Sequence, residues 1–271
     1  MIILGIDTSQ SASVALVDTD TGSVIAAEQA DDQRRHVEFI GPALADVLAA
    51  EVQPELVVVG IGPGPFTGLR VGIAAGIAVG QARGIPVKGL LSQTAIAEEF
   101  VRTSAGDPPA TDTVNASADV STAADETGRL VLIASDARRK EVYFSVYDSA
   151  DASLSAGPFV AKPTEVASAL ADNGFRLDPS GTEQGRNEAA SADPSTSATA
   201  PISEKLGRGF VLYPDTLGAP SAESITDPRA EYLALAAARE LAAGRELNEP
   251  IPEYLREPDA KATPVRESSL R

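Results

Sequence analysis

Residues 2–18 read Ile2-Ile-Leu-Gly-Ile-Asp7-Thr-Ser-Gln-Ser-Ala-Ser-Val-Ala-Leu-Val-Asp18. Two apolar, β-branched runs, 2–7 and 12–18, flank four turn-forming residues, which predicts two antiparallel strands joined by a tight connection. A second turn, at 19–22, leads into a third such run at 23–30. The chain is therefore predicted to begin as a three-stranded antiparallel meander.

Beyond the meander, helices and strands are predicted to alternate. Helical spacing of apolar residues predicts helices over 35–50, 66–83 and 93–102, and buried apolar runs predict strands at 56–61 and 85–90. Pro42 should kink the first helix or mark a late start. The second half repeats this order in outline, with strands at 130–135, 141–147 and 154–161, a helix near 163–171, a strand ending at 210–213 and a helix at 229–243. A duplicated βββαβα unit is typical of the actin-like ATPase (ASKHA) fold, an α/β class in which two lobes face a central cleft.

The predicted domains are two lobes interrupted by polar segments. The N-terminal lobe covers 1–102, the C-terminal lobe covers 129–250, and a tail covers 251–271. Segments 103–128 and 178–203 consist largely of small and polar residues, so they cannot bury enough surface to offset the entropy of ordering. We predict that both are disordered insertions.

Composition limits the classes of protein to which the chain can belong. Its 22 Lys and Arg against 39 Asp and Glu give a net charge of −17. Such a chain is a poor candidate for gripping a phosphate backbone unaided, since nucleic-acid affinity rests largely on Lys and Arg. The lack of cysteine excludes thiol catalysis and disulfides, and no apolar run approaches the roughly 20 residues of a membrane span. These features fit a cytoplasmic protein that does not enter a membrane.

The end of the first strand carries a candidate nucleotide-binding loop. Asp7, Thr8 and Ser9 place an acid and two hydroxyls where backbone N–H groups could face phosphates and the acid could hold Mg²⁺ through water. Asp136 takes the corresponding place in the second half. The simpler interpretation is a polar hairpin tip that caps its own turn, and spacing alone favours it.

A glycine pattern marks the second predicted helix. After Gly62-Pro-Gly-Pro-Phe-Thr-Gly-Leu-Arg70, glycines recur at every fourth position from 68 to 84, and Thr67 is placed to cap the helix. Each interior glycine costs about 1 kcal/mol relative to alanine, so close packing must compensate. The ridge either packs on the chain's own sheet or also docks a second protein, and the pattern leaves both open.

Two further polar motifs are ambiguous. His36 is the single histidine, and a metal site would need a second His one turn on or clustered carboxylates. We therefore predict a surface or capping role for it, and no metal, cofactor or catalytic residue in the chain. The segment Asp136-Ala-Arg-Arg-Lys140 could bind an anion or form a solvated turn, and the second is favoured.

Four motifs together resemble the TsaB family, the dimerization subunit of the tRNA threonylcarbamoyladenosine synthesis complex. They are Ile3-Leu-Gly-Ile-Asp7-Thr-Ser9, Gly62-Pro-Gly-Pro-Phe-Thr-Gly-Leu-Arg70-Val-Gly72, Asp136-Ala-Arg-Arg139 and Tyr254-Leu-Arg256. The resemblance covers 1–102, 129–177 and 205–257. Pro65 departs from it, because the family usually has Ser there.

The resemblance implies a non-catalytic subunit with a degraded active site. The catalytic relative, TsaD, holds its metal partly through two histidines one helical turn apart, and this chain offers only one at position 36. TsaB is expected to pair with TsaD through the helices at 35–50 and 67–83. The implied interface consists of His36, Phe39, Ile40, Phe66, Thr67, Arg70, Gly72, Ala75, Gly76 and Val79.

Further partners follow from the same resemblance. A TsaE-like P-loop ATPase is expected, tRNA would be reached only through the complex, and a homodimer through the same face is the alternative when TsaD is absent. The complex transfers threonylcarbamoyl to the adenosine next to the anticodon in tRNAs that read codons beginning with A. A self-contained actin-like small-molecule kinase is the main alternative function, and a peptidase ranks below it.

Overall fold

The first lobe is built on a mixed five-stranded sheet. The computed structural model describes residues 1–30, 36–106, 129–177 and 199–256. The sheet has the order β3-β2-β1-β4-β5, with β1 antiparallel to β2 and parallel to β4. Its strands are β1 (Ile2–Asp7), β2 (Ser13–Asp18), β3 (Ser23–Gln29), β4 (Leu56–Gly60) and β5 (Val87–Leu90). The predicted meander and the parallel strands after it are confirmed.

Three helices follow the strands of this half: α1 (His36–Val47), α2 (Phe66–Arg83) and α3 (Ser92–Ser104). The predicted βββαβαβα order is therefore correct. Pro42 lies inside α1. Within the described ranges, no helix combines the length and apolar character needed to cross a bilayer.

The second lobe repeats the sheet with one change in connectivity. Its order is β8-β7-β6-β10-β9, and β6 is antiparallel to β7 and parallel to β10. The strands are β6 (Leu130–Asp136), β7 (Val142–Asp148), β8 (Leu154–Ala161), β9 (Phe175–Leu177) and β10 (Ala200–Leu206). In the first lobe the strand next to the centre precedes the edge strand in the chain, whereas here the edge strand β9 comes first. Two lobes of matching strand order confirm the predicted fold class, and the duplication holds in outline only.

The helices of the second half are short, except for the last one. They are a 3₁₀ turn (Pro163–Glu165), α4 (Val166–Asp172), α5 (Arg208–Leu212), α6 (Pro214–Leu217) and α7 (Ala230–Ala242). The strand predicted to end at 210–213 is wrong, since α5 occupies that position. Gly207, with φ of 100°, turns the chain out of β10, and the helix then buries Phe210 completely.

Two regular elements extend into the segments that were predicted as insertions. Helix α3 continues to Ser104, and β10 starts at Ala200, where Ile202 enters the core of the second lobe. The predicted disorder of 107–128 and 178–198 falls outside the described residues. So does the part of the tail from 257 onward.

The two halves exchange their covering helices. Helix α7 from the second half packs on the first sheet, against residues such as Ile3, Val17 and Val58. Helix α3 from the first half packs on the second sheet, where Ile96 contacts the cluster around Ile133. The two helices also contact each other. Each lobe therefore needs a helix from the other half to complete its core.

Helices α1 and α2 cover the opposite face of the first sheet. Alternation along β1 sends Ile3 toward α7 and sends Leu4 and Ile6 toward α1 and α2, as the two-residue period of a strand requires. The two helices lie in contact. They therefore form the outer layer of the first lobe.

Candidate functional site

The loop predicted to bind phosphate is closed by contacts within the chain. Asp7, Thr8 and Ser9 have no exposed surface. Both the backbone N–H and the hydroxyl of Ser9 donate to Asp7 Oδ1, at 2.8 and 2.7 Å. The groups that could meet a phosphate already have partners.

The Thr8 hydroxyl is inserted into the hydrogen-bond ladder of α2. It donates to the carbonyl of Gly68 at 2.7 Å and accepts from the N–H of Gly72 at 3.1 Å. These are the two groups that an i→i−4 helical bond would join. A Cβ on residue 72 would lie 2.4 Å from Thr8 Oγ1. Glycine at 72 therefore allows β1 to be bonded directly to α2.

Asp7 is a buried acid, and within the described ranges only one of its two carboxylate oxygens forms a hydrogen bond. Its Oδ2 has no hydrogen-bond partner among the described residues. Burial raises the pKa of Asp7 to about 6, while the nearby hydroxyl of Ser92 and the hydrogen bonds from Ser9 lower it and the charge of Asp227 raises it. The carboxyl can hold a proton close to neutral pH. No group of three or more potential metal ligands occurs in the part of the chain that the structure describes.

The two lobes are joined by hydrogen bonds at this loop. The Gln10 side-chain amide donates to the carbonyls of Ser9 at 3.0 Å and of Asp136 at 3.1 Å. Asp136 thus lies opposite the first loop, where the sequence comparison of the two halves placed it. On the second lobe, Arg208 binds Asp227 through two contacts at 2.7 and 2.5 Å.

The N-terminus of α2 differs from the prediction. Its N-cap residue is Pro65, with no side-chain cap hydrogen bond, so the predicted capping role of Thr67 is wrong. Thr67 is exposed instead. The φ of −63° at Pro65 suits the entry into the helix.

The glycine ridge of α2 faces the chain's own sheet. A Cβ on Gly76 would lie 2.3 Å from Val59 Cγ1, and one on Gly80 would lie 2.2 Å from Val87 Cγ2. Because the glycines let the helix backbone approach the strands, internal packing accounts for the ridge. Gly72, Gly76 and Ile40, which were predicted as interface residues, are buried inside the chain. The predicted interface must be corrected by removing all three.

The other face of α2 is an exposed stripe of small and polar residues. Five exposed positions recur at a spacing of three or four: Thr67, Arg70, Ala74, Ala78 and Gln81. We call this set the α2 stripe. Ala82 and Arg83 are also exposed, in the last turn of the helix. Sequence reasoning missed Ala74 and Ala78, although a helix with its glycines fixed toward the sheet must expose the residues opposite them.

The remaining predicted interface residues border the α2 stripe or lie on α1. Phe39, Phe66, Ala75 and Val79 are half-buried. The side chain of His36 lies outside the described residues, although α1 begins at this position. Val37, which was not predicted, is 71% exposed.

A C-terminal strap, residues 251–256, crosses the base of α2. The Tyr254 ring lies 4.3 Å from that of Phe66, and Arg70 Nε donates to the Tyr254 hydroxyl at 2.8 Å. The N–H of Glu253 donates to the carbonyl of Ile61 at 2.7 Å. Part of the predicted interface is thus engaged within the chain, a contact that sequence reasoning did not predict.

The strap continues to the second lobe. One Arg256 nitrogen donates to the carbonyl of Ala137 at 2.7 Å, and another pairs with Glu141. The Arg256 guanidinium also lies 5.4 Å from the centre of the Tyr143 ring. The strap therefore connects the start of α2 with the β6–β7 turn.

The model of a known family matches part of the chain. Residues 24–128 match the model of TsaD, tRNA N6-adenosine threonylcarbamoyltransferase. This region is less than half of the chain and includes α1, α2 and α3.

Relatives of similar sequence come from mycobacteria. An uncharacterized protein of Mycobacterium leprae is 40% identical over 172 residues, which cover 61% of this chain and 40% of that protein. Uncharacterized proteins of Mycobacterium bovis and Mycobacterium tuberculosis are each 35% identical over 169 residues, covering 60% of this chain and 66% of theirs. The chain thus spans less than two thirds of the length of these relatives.

Solved structures match over nearly the whole chain. YeaZ from Pseudomonas aeruginosa superposes with a TM-score of 0.62 at 22% identity, covering 94% of this chain and 99% of YeaZ. A P. aeruginosa protein described as similar to peptidase YeaZ gives the same TM-score and coverage at 25% identity. The chain therefore has the fold of YeaZ, and its residues 24–128 are similar to the TsaD family.

Proposed function

We propose that this chain is the non-catalytic dimerization subunit of the complex that forms N6-threonylcarbamoyladenosine next to the anticodon, in tRNAs that read codons beginning with A. Its partner is a TsaD-like catalytic subunit. The TsaD-family match, the YeaZ fold and the TsaB-like motifs support this assignment. Within the complex, a TsaE-like P-loop ATPase is a further partner, and tRNA is modified only by the assembly.

The α2 stripe is the observation that carries the proposal. The centre of the stripe, Ala74 and Ala78, carries no charge, and Arg70 near its start is bonded to Tyr254 of the strap. Depletion of charge at the centre of a surface is a mark of protein interfaces. The exposed alanines, Ala74 and Ala78, leave room for a helix of the partner to pack closely.

The closed loop supports the non-catalytic part of the proposal. A phosphate at Asp7–Ser9 would have to displace Thr8 from α2 and Ser9 from Asp7. It would also have to separate Gln10 from Asp136, because that contact joins the two lobes at this loop. We therefore assign the transfer of the threonylcarbamoyl group to the TsaD-like partner.

Reconstitution tests the proposal. We would incubate the chain alone, a TsaD-like subunit alone and both together with tRNA, the threonylcarbamoyl donor and a TsaE-like ATPase, and measure modified adenosine by mass spectrometry. We expect product only when both subunits are present. Product formed by this chain without the TsaD-like subunit would contradict the proposal.

A small-molecule kinase is the second candidate. The observation that favours it is Asp7 Oδ2, a buried oxygen without a hydrogen-bond partner in the described part of the chain. ATP turnover by the isolated chain, abolished in Asp7→Asn, would support the kinase over the scaffold. A peptidase function ranks third. Cleavage of a peptide substrate by the isolated chain would be needed to support that function.

A further inference from the structure

The turn between β6 and β7 has an unusual backbone. Arg138, Arg139 and Lys140 have φ values of 60°, 54° and 61°. Side chains in this left-handed region crowd the following carbonyl, and glycine usually occupies such positions. The turn between β2 and β3 uses Gly22, at φ of 74°, in this way. At 138–140, by contrast, three exposed basic side chains replace glycine.

Contacts from both lobes hold the backbone of this basic turn, which we define as residues 136–141. Gln10 of the first lobe donates to the carbonyl of Asp136, and Arg256 of the strap donates to that of Ala137. Within the turn, the N–H of Ala137 donates to the carbonyl of Glu141 at 3.0 Å. The basic side chains are therefore carried on a braced support, which lowers the entropy lost when they bind a ligand.

The charge of the basic turn is positive in a chain whose net charge is −17. Its two carboxylates are each committed to a guanidinium: Asp136 pairs with Arg138 at 3.0 Å, and Glu141 pairs with Arg256. Lys140 forms no ion pair within the described ranges. Three basic residues and two acids give the turn itself a formal charge of +1, and all three basic side chains are exposed.

We propose that the basic turn is a phosphate-binding site that contacts the phosphates of a polyanion. The phosphates could belong to an RNA backbone or to a free polyphosphate, since guanidinium and ammonium groups bind both by the same charge-assisted hydrogen bonds. The site lies outside the α2 stripe. It does not depend on the proposed partner, and it can be tested without one.

The test replaces the two residues at the tip by glycine, in the combined variant Arg139→Gly/Lys140→Gly. Glycine removes both charges and also relieves the left-handed backbone, so Tm should hold or rise while binding weakens. The control variant, Lys162→Ala/Arg176→Ala, removes the same charge from exposed positions elsewhere.

Binding of fluorescently labelled tRNA would be followed by anisotropy between 50 and 200 mM salt, with inorganic triphosphate as competitor. Each lost phosphate contact lowers the slope of log K against log salt by about 0.7–0.9. We expect the glycine variant to lose about 1.5 in slope, and the control variant to match the original chain.

Two results would overturn the proposal: no binding of tRNA or triphosphate by the original chain, or equal binding by the glycine and control variants. Displacement of tRNA by triphosphate at equal phosphate concentration would support the proposal and identify free polyphosphate as the ligand. If the tRNA stays bound in the presence of triphosphate, the proposal is also supported, and the ligand is identified as the RNA backbone. None of these readouts involves the TsaD-like subunit, so failure here leaves the proposed function standing.

Discussion

At the scale of single residues, Glu99 is a buried acid in the joint between α3 and α7. It lies 3.4 Å from Arg229, which also pairs with Glu231, so two carboxylates share one guanidinium. The Arg229 guanidinium also lies 5.3 Å from the centre of the Tyr232 ring. Glu99 Oε2 has no hydrogen-bond partner among the described residues. Burial raises the pKa of Glu99 to about 7, with Arg229 lowering it and Glu231 raising it.

This acid should make stability depend on pH. Between its ordinary value of 4.5 and about 7, the folded chain keeps a proton that the unfolded chain has lost. The free energy of unfolding therefore falls as pH rises through that window, by roughly 3 kcal/mol at most for a shift of this size. We expect Glu99→Gln to remove much of this fall, as measured by urea denaturation at pH 5 and pH 8. An unchanged pH dependence would show that Glu99 is ionised in the folded chain at pH 5.

At the scale of elements, α2 shows what an amino-acid pattern can and cannot determine. Its extent, its burial and the need for close packing at its glycines were all predictable. The direction of the ridge was not, because helical periodicity says which residues share a face and not what that face contacts. Only the positions of Val59 and Val87 show that the ridge meets the chain's own sheet.

A pair of glycine substitutions tests this orientation. Gly76→Ala adds a methyl group at the sheet and should lower the free energy of unfolding by about 1–3 kcal/mol through overpacking. Gly41→Ala makes the same change in α1, where an added Cβ meets nothing within 4 Å apart from its chain neighbours. Because Pro42 follows, the crowding of a Cβ before proline offsets the gain of about 1 kcal/mol that alanine brings to a helix, and the variant should be close to neutral. Equal effects of the two variants in urea denaturation would contradict the inward-facing ridge.

Other elements could not be predicted for identifiable reasons. The segment 208–212 contains Phe210, Val211 and Leu212, an apolar run too short to distinguish a strand from a helix. The strap depends on contacts between residues far apart in sequence, such as Arg70 with Tyr254. The Tyr254-Leu-Arg256 motif contributed to the resemblance, but nothing in its pattern indicated what it touches.

At the scale of the whole molecule, α3 and α7 each complete the hydrophobic core of the opposite half, so neither lobe is a separate folding unit. The strand pattern predicted the two sheets, and the fold class followed from their duplication. The covering helices could not be assigned, because amphipathic spacing does not say on which sheet a helix packs. The predicted boundaries at 102 and 129 therefore divide the sequence and do not divide the hydrophobic core.

This organisation predicts cooperative folding. Fragment 1–106 lacks α7, so Ile3, Val17 and Val58 would lose their cover. We expect the fragment to show no cooperative unfolding transition by circular dichroism, and the full chain to show a single one. Adding a fragment that begins at residue 129 should restore the transition. An independently folded 1–106 fragment would contradict the shared core.

The central claim is that the α2 stripe docks a TsaD-like subunit. Isothermal titration calorimetry of the chain against that subunit tests it most directly, using Ala74→Glu/Ala78→Glu beside the control Ala242→Glu, an exposed alanine on the helix that covers the opposite face of the first sheet. All three proteins should retain the same Tm within a few degrees. We predict that the stripe variant loses at least tenfold in affinity, about 1.4 kcal/mol, while the control binds like the original chain. Undiminished binding by a folded stripe variant would contradict the account.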